Sequence, residues 1–154
     1  MSKNLVVFDI DGVLLEPKHR IHHWVAGEYE DYFSKALTDE PIEQGTTICR
    51  MFLRSSFQVL FVTGRGDHKT HRWDTMTMLR NYVDPFIHWN QLLMREWLGA
   101  DVPGNPDTVE KPLMIERAGY SLDHIFLVFE DKKSIIDMWR ARGVTCYETQ
   151  PLPL

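Results

Sequence analysis

Cysteine is scarce: Cys49 and Cys146 are the only two in 154 residues, and neither has a second cysteine or a histidine at ligand spacing. Neither a disulfide framework nor a thiolate zinc site is therefore suggested, and both thiols are expected to be buried and reduced. Positive charge is also in short supply, with 17 Lys and Arg against 22 Asp and Glu and a net charge of −5. Such a balance argues against a generally basic nucleic-acid coat while leaving room for a local basic groove. No internal repeat or low-complexity tract is present. The opening Met1-Ser2-Lys3-Asn4 leads into a short apolar run that already holds Asp9 and Asp11. It is expected to be neither a signal peptide nor a membrane span, and a cytoplasmic location without a membrane partner is the expectation.

What is present suffices for a core: 44% of the residues are hydrophobic, enough for one domain of this length without staples. Leu5-Val6-Val7-Phe8 is a continuous apolar, β-branched run that ends in acidic residues and Gly12, as a buried parallel strand does when its carboxyl end carries function. The pattern recurs at Gln58 to Val62, running into Thr63-Gly64-Arg65-Gly66, and at Ile125 to Phe129, running into Glu130-Asp131. Helical spacing fills roughly 42–55, 68–82, 108–119 and 133–142, and Phe86 to Met94 and Val144 to Glu148 supply two further strands. This alternation predicts an α/β fold: a doubly wound, Rossmann-like parallel sheet of about five strands. A single domain over 1–154 is expected, with a small insertion at about 14–42 near the site and a minimal cap or none. Asp101 to Asp107 forms the clearest loop and Pro151 to Leu154 a short tail.

Ligands in such sheets bind beyond the carboxyl ends of the strands, where three charged or glycine-bearing turns converge here. Asp9 and Asp11 stand at i and i+2, and Gly12 permits a turn that swings the second carboxylate over the first. Asp9 can then act as nucleophile while Asp11 gives a proton to a leaving oxygen and later takes one from water. Phosphate and carboxylate repel each other, so a cation is needed between them, and Mg²⁺ suits a site of carboxylate oxygens, a backbone carbonyl and waters. Asp131, with Glu130 beside it, is a third acidic source. Thr63 offers a hydroxyl, the Gly64-Arg65 turn offers backbone N–H groups, and Lys111 offers a fixed positive charge.

Asp9-Ile10-Asp11-Gly12-Val13, Thr63-Gly64-Arg65, Lys111 and Phe129-Glu130-Asp131 resemble the four ordered motifs of the haloacid dehalogenase (HAD) superfamily. The resemblance implies Asp9 as the aspartyl-phosphate nucleophile, Asp11 as general acid and base, and Thr63 and Lys111 as phosphate ligands. It also implies Mg²⁺ held by Asp9, the Asp11 carbonyl and Asp131, and Glu130 is placed with them in the expected metal set. Val13 stands where many members have threonine, and Glu130 where close relatives carry an aspartate.

A narrower resemblance concerns substrate. Lys18 to His23, Tyr29 to Phe33, Glu40-Pro41-Ile42, Met94-Arg95, Pro106-Asp107-Thr108 and Asp131 through Arg140 to Cys146 look like the 3′-phosphatase domain of phage polynucleotide kinase and its stand-alone phage and bacterial relatives. That implies a phosphorylated nucleic-acid end or a nucleotide as substrate. An open site favours polymer ends over small metabolites. Gly64, Arg65, Arg95, Arg20 and His22 are the expected substrate contacts, with Trp24 available to stack. A deoxynucleoside monophosphatase or small-metabolite phosphatase is the alternative. A non-catalytic phosphate-binding module is set against by the joint presence of Asp9, Asp11, Thr63, Lys111 and Asp131. His19 and His22, like His68 and His71, have i,i+3 spacing, but no Glu or Cys completes a familiar zinc set.

Overall fold

The computed structural model describes residues 2–99 and 104–149. The expected tail 151–154 and the part of the expected loop at 101–103 lie outside the described residues. Strand β1 (Leu5–Phe8) is followed by β2 (Leu15–Glu16), helices α1 (Ile21–Val25) and α2 (Tyr29–Ser34), then β3 (Glu40–Pro41) and α3 (Glu43–Leu53). The second half runs β4 (Gln58–Asp67), α4 (His71–Tyr82), β5 (Leu92–Glu96), α5 (Asp107–Arg117), β6 (Ile125–Glu130), α6 (Lys133–Ala141) and β7 (Cys146–Glu148).

Five strands form one sheet in the order β5-β4-β1-β6-β7, and every pairing within it is parallel. All four residues of β1 are buried, as an apolar run covered on both faces requires. Alternation along the strands sorts two cores. Val6, Phe8, Val59 and Phe61 pack with Cys49 of α3 and Met76 and Leu79 of α4. Leu5, Val7, Leu60 and Val62 pack with Met114 and Ile115 of α5 and Ile135, Ile136 and Trp139 of α6. Helices thus cover both faces, which is the doubly wound architecture expected from the βαβα pattern. Both thiols are free and buried.

Two local differences from the sequence-based expectation have physical causes. The strand predicted from Phe86 starts only at Leu92: Asp84 caps a turn by accepting from the Phe86 N–H, Phe86 is 91% exposed, and a 3-10 turn occupies Trp89–Gln91. The predicted turn at 63–66 is instead a bulged continuation of β4, whose pairing with β5 shifts register between Thr63 and Gly66. Gly64 makes that path possible, because a Cβ there would lie 2.4 Å from Asp107 Oδ2. The region 14–42 folds as the antiparallel β2–β3 pair, Leu15 opposite Pro41, enclosing α1 and α2.

Candidate active site

Parallel pairing puts the carboxyl ends of β1, β4 and β6 at one edge, and Asp9 follows β1 directly, its N–H donating to the Phe129 carbonyl at 3.0 Å. Beyond Asp9 the chain turns tightly, the N–H groups of Val13, Leu14 and Leu15 all converging on the Ile10 carbonyl. Gly12 has φ +81°, and a Cβ there would lie 1.9 Å from Asp131 Oδ2. The glycine therefore serves twice: it allows the turn and lets the Asp131 carboxylate close over it.

Lys111 reaches this edge from α5. Its buried ammonium donates to Asp9 Oδ1 at 3.0 Å and to Glu130 Oε2 at 2.7 Å. Burial alone would lower its proton affinity, but the Asp9 and Glu130 charges outweigh burial and push it up, so Lys111 is a permanent cation. Asp9, in contrast, has its carboxyl pushed well above the ordinary range, first by burial and then by the Glu130 charge, with Lys111 opposing. Asp131 is raised to about 7 by burial and by the Asp9 charge.

Carboxylate oxygens of Asp9, Glu130 and Asp131 lie within 4.8 Å of one another. Such a set of hard oxygen donors, crowded enough that two of the three hold their protons unusually tightly, fits a divalent cation such as Mg²⁺. Glu130 differs from the other two in its partners. Its Oε2 takes the Lys111 ion pair, while its Oε1 accepts from the Asp131 and Lys132 N–H groups at 3.2 and 3.4 Å.

The other predicted residues divide. Thr63 is buried, and its Oγ1 accepts from the Arg65 N–H at 3.1 Å, which leaves the hydroxyl proton to give. That N–H, expected to serve a ligand, is thereby occupied. Arg65 and Arg20, expected as substrate contacts, are turned inward and are 4% and 1% exposed. Arg65 grips Asp11 in a fork, Nε to Oδ2 at 3.0 Å and Nη2 to Oδ1 at 2.6 Å. Burial would raise the Asp11 carboxyl, but the Arg65 charge and hydrogen bonds, with Arg20 behind, outweigh burial and hold it below the ordinary range.

Asp39, absent from the sequence-based set, binds the two arginines together. It accepts from Arg20 Nε at 2.6 Å and Nη2 at 2.7 Å, and from Arg65 Nη2 at 3.0 Å. Its neighbours Thr38 and Glu40 make it look like one polar residue of a turn, so no local signal marks it. Arg95 donates to Asp107 Oδ1 at 2.8 Å and to the Asn105 carbonyl. His22 is exposed, its ring 3.9 Å from that of His23, and is not among the residues lining the groove that opens beside Gly64.

Residues 3–151 match the family model of the polynucleotide kinase PNKP phosphatase domain. Among solved structures, a chain of the Pnkp1/Rnl/Hen1 complex superposes with a TM-score of 0.75 at 19% identity, over 99% of this chain and 48% of its own. A chain of the Pnkp1/Rnl/Hen1 RNA repair complex gives 0.67 at 18% identity, over 94% and 42%. A protein from Clostridium difficile assigned as a phosphatase gives 0.65 at 16%, over 96% and 85%. At these identities the likeness concerns the fold, and this chain spans about half the length of the matched Pnkp1/Rnl/Hen1 chains or less. No curated protein matches the chain. Among the described residues no helix is long and apolar enough to cross a membrane. Because the family match runs over nearly the whole chain and the sheet edge gathers Asp9, Lys111, Glu130 and Asp131, this chain belongs to the polynucleotide kinase phosphatase-domain family of HAD phosphatases.

Proposed function

We propose that the chain hydrolyses phosphomonoesters at nucleic-acid 3′ ends or on nucleotides, through a phosphoryl group carried transiently on Asp9. The observation that carries this reading is the Asp9 carboxylate, buried at the end of the central strand, with the Lys111 ammonium 3.0 Å away and the Asp131 carboxylate alongside. An Asp9 oxygen attacks phosphorus and the bond to the ester oxygen breaks, that oxygen taking its proton from the protonated form of Asp11, a minor form in the free chain because Arg65 holds the carboxyl below the ordinary range. Water then attacks phosphorus, Asp11 takes the water's proton, and inorganic phosphate leaves with Asp9 restored. Lys111 offsets phosphate charge throughout, and the Thr63 hydroxyl donates to a phosphate oxygen.

Asp9, the Asp11 carbonyl and Asp131 would hold Mg²⁺, which supplies charge neutralisation between carboxylate and phosphate when bound. Glu130, with both oxygens engaged, is better placed to position Lys111 and the 131–132 backbone than to bind the ion. A nucleic-acid substrate is supported by the family match and by neighbours that belong to an RNA repair complex.

The test is phosphate release, with Mg²⁺ and with EDTA, from 3′- and 5′-phosphorylated oligonucleotides, nucleoside 3′- and 5′-monophosphates and sugar phosphates. Metal-dependent release from the 3′-phosphorylated substrates is expected. Turnover of sugar phosphates alone would sink the reading.

A pH dependence follows from Asp131. Its folded-state pKa of about 7 lies above the roughly 3.9 of an unfolded aspartate, so the metal-free fold binds the extra proton between these values. Metal-free stability from this group is therefore full below about pH 4 and is lost as pH rises through about 7. Mg²⁺ needs the deprotonated carboxylate, so its stabilisation grows across the same window. The rise in Tm on adding Mg²⁺ should be small at pH 5 and reach a plateau above pH 8. A pH-independent rise would remove Asp131 from the ligand set.

A further inference from the structure

A groove of about 900 Å³ is lined by Gly64 and Gly66 of β4, by residues of the α1–α2 region and by the end of β5, and Asp9, Asp11, Glu130 and Asp131 are not among its described lining residues. Its volume is that of a site for a small organic ligand. Aromatic rings follow one another along it. Trp97 stacks on His68 at 4.4 Å between centroids, His68 meets His71 at 5.7 Å, His71 stacks on Phe33 at 4.6 Å, and Trp24 stands edge-on to Phe33 at 6.4 Å. These five residues come from three stretches of the chain, 24–33, 68–71 and 97, and all line the one groove. Trp97 and Trp24 remain 40% and 51% exposed, so each offers ring surface to an incoming molecule.

Charge along the groove speaks against a polyanion. Among the described residues, its lysine and arginines each face a carboxylate: Lys69 pairs with Glu30, Arg95 with Asp107 and Arg117 with Glu110. Asp31, Asp74 and Glu96 add further negative charge to the walls. Burial holds the proton affinity of His71 below its ordinary value, which keeps that ring neutral at pH 7. A phosphodiester chain entering here would meet acidic walls and cations already paired, whereas an uncharged planar ring would meet aromatic faces.

Resting on the proposed phosphatase function, we infer that this groove receives the base of the terminal nucleoside by stacking at one exposed end of the ring run, on Trp97 or on Trp24, and that the strand's further phosphates stay outside it. The unit recognised is then one nucleoside, whatever the length of strand attached to it. Strand binding through phosphate contacts would instead give KM values that fall with length and rise steeply with salt.

The experiment compares a nucleoside 3′-monophosphate, a 3′-phosphorylated oligonucleotide and an abasic deoxyribose 3-phosphate, at about 50 and 200 mM salt, a span that moves phosphate-dominated binding by orders of magnitude. With the wild-type chain, the mononucleotide and oligonucleotide should have KM values within about threefold of each other and nearly independent of salt. Of the separate variants Trp97→Ala and Trp24→Ala, the one that removes the ring under the base should cut the preference for the base-bearing over the abasic substrate by about tenfold, the worth of one stacking contact. Nucleotide hydrolysis with that preference unmoved in both variants, or with KM strongly dependent on length and salt, overturns the groove assignment and leaves the phosphatase reading standing. Failure of the wild-type chain on every nucleotide substrate, with sugar phosphates turned over, overturns both.

Discussion

Asp9→Asn is expected to abolish phosphate release, lowering kcat by a factor on the order of 10⁴ or more, the usual cost of losing a covalent nucleophile. The side chain keeps its volume and its hydrogen-bonding reach to Lys111, but an amide cannot displace the ester oxygen. The fold should survive the change, because the Asp9 charge is held against both burial and the charge of Glu130. The Asn variant should therefore melt at or above the wild-type temperature without metal, while the Tm rise on adding Mg²⁺ shrinks. These two readouts separate a lost nucleophile from a lost fold. A variant with near wild-type kcat would move the chemistry to another residue, and Asp131, within 4.8 Å in the same acidic group, would be the first to examine.

Legibility in the sequence followed the range of the interactions. Strand β1 was readable because four consecutive apolar residues in an α/β pattern have one place to go, the buried centre of the sheet. The long helices α3 to α6 were readable from periodicity. Helices α1 and α2, with five and six residues, are too short to establish a period and owe their form to the contacts around them. Asp9, Lys111, Glu130 and Asp131 could be named in advance because each follows from a motif in order along the chain, and the structure brings these four together. Arg20 and Arg65 looked like free cations because charge is visible in a sequence and burial is not. Their partners lie 19 and 54 residues away, in Asp39 and Asp11 respectively: the first pair forms inside the region 14–42, the second between the ends of β4 and β1, and the Arg65–Asp39 bond closes that region over the sheet edge.

That closure puts Asp39 at the centre of the largest stability effect to expect. Asp39 is 1% exposed and accepts three hydrogen bonds from two buried guanidinium groups. Asp39→Ala leaves Arg20 with a 3.4 Å contact to Asp11, the Tyr32 carbonyl at 3.1 Å and the face of the Tyr32 ring, none of which replaces the lost fork. Breaking one side of a buried ion pair costs about 3–5 kcal/mol, a large part of the stability of a domain this size. The urea midpoint should fall accordingly. Activity should fall as well, through kcat more than KM and by tenfold or more per folded molecule, the order of a mispositioned acid–base group, because Arg65 holds Asp11 from one side and Asp39 from the other. Replacing the pair together, as Arg20→Met with Asp39→Leu, should recover part of the stability, since no lone charge is left from that pair, but not the kcat. An Asp39→Ala variant with unchanged urea midpoint and kcat would mean that Asp11 is held by Arg65 alone and that the insertion is a passive cover. Recovery of both stability and kcat in the double variant would mean that packing, and not the carboxylate–guanidinium geometry, positions the acid–base group.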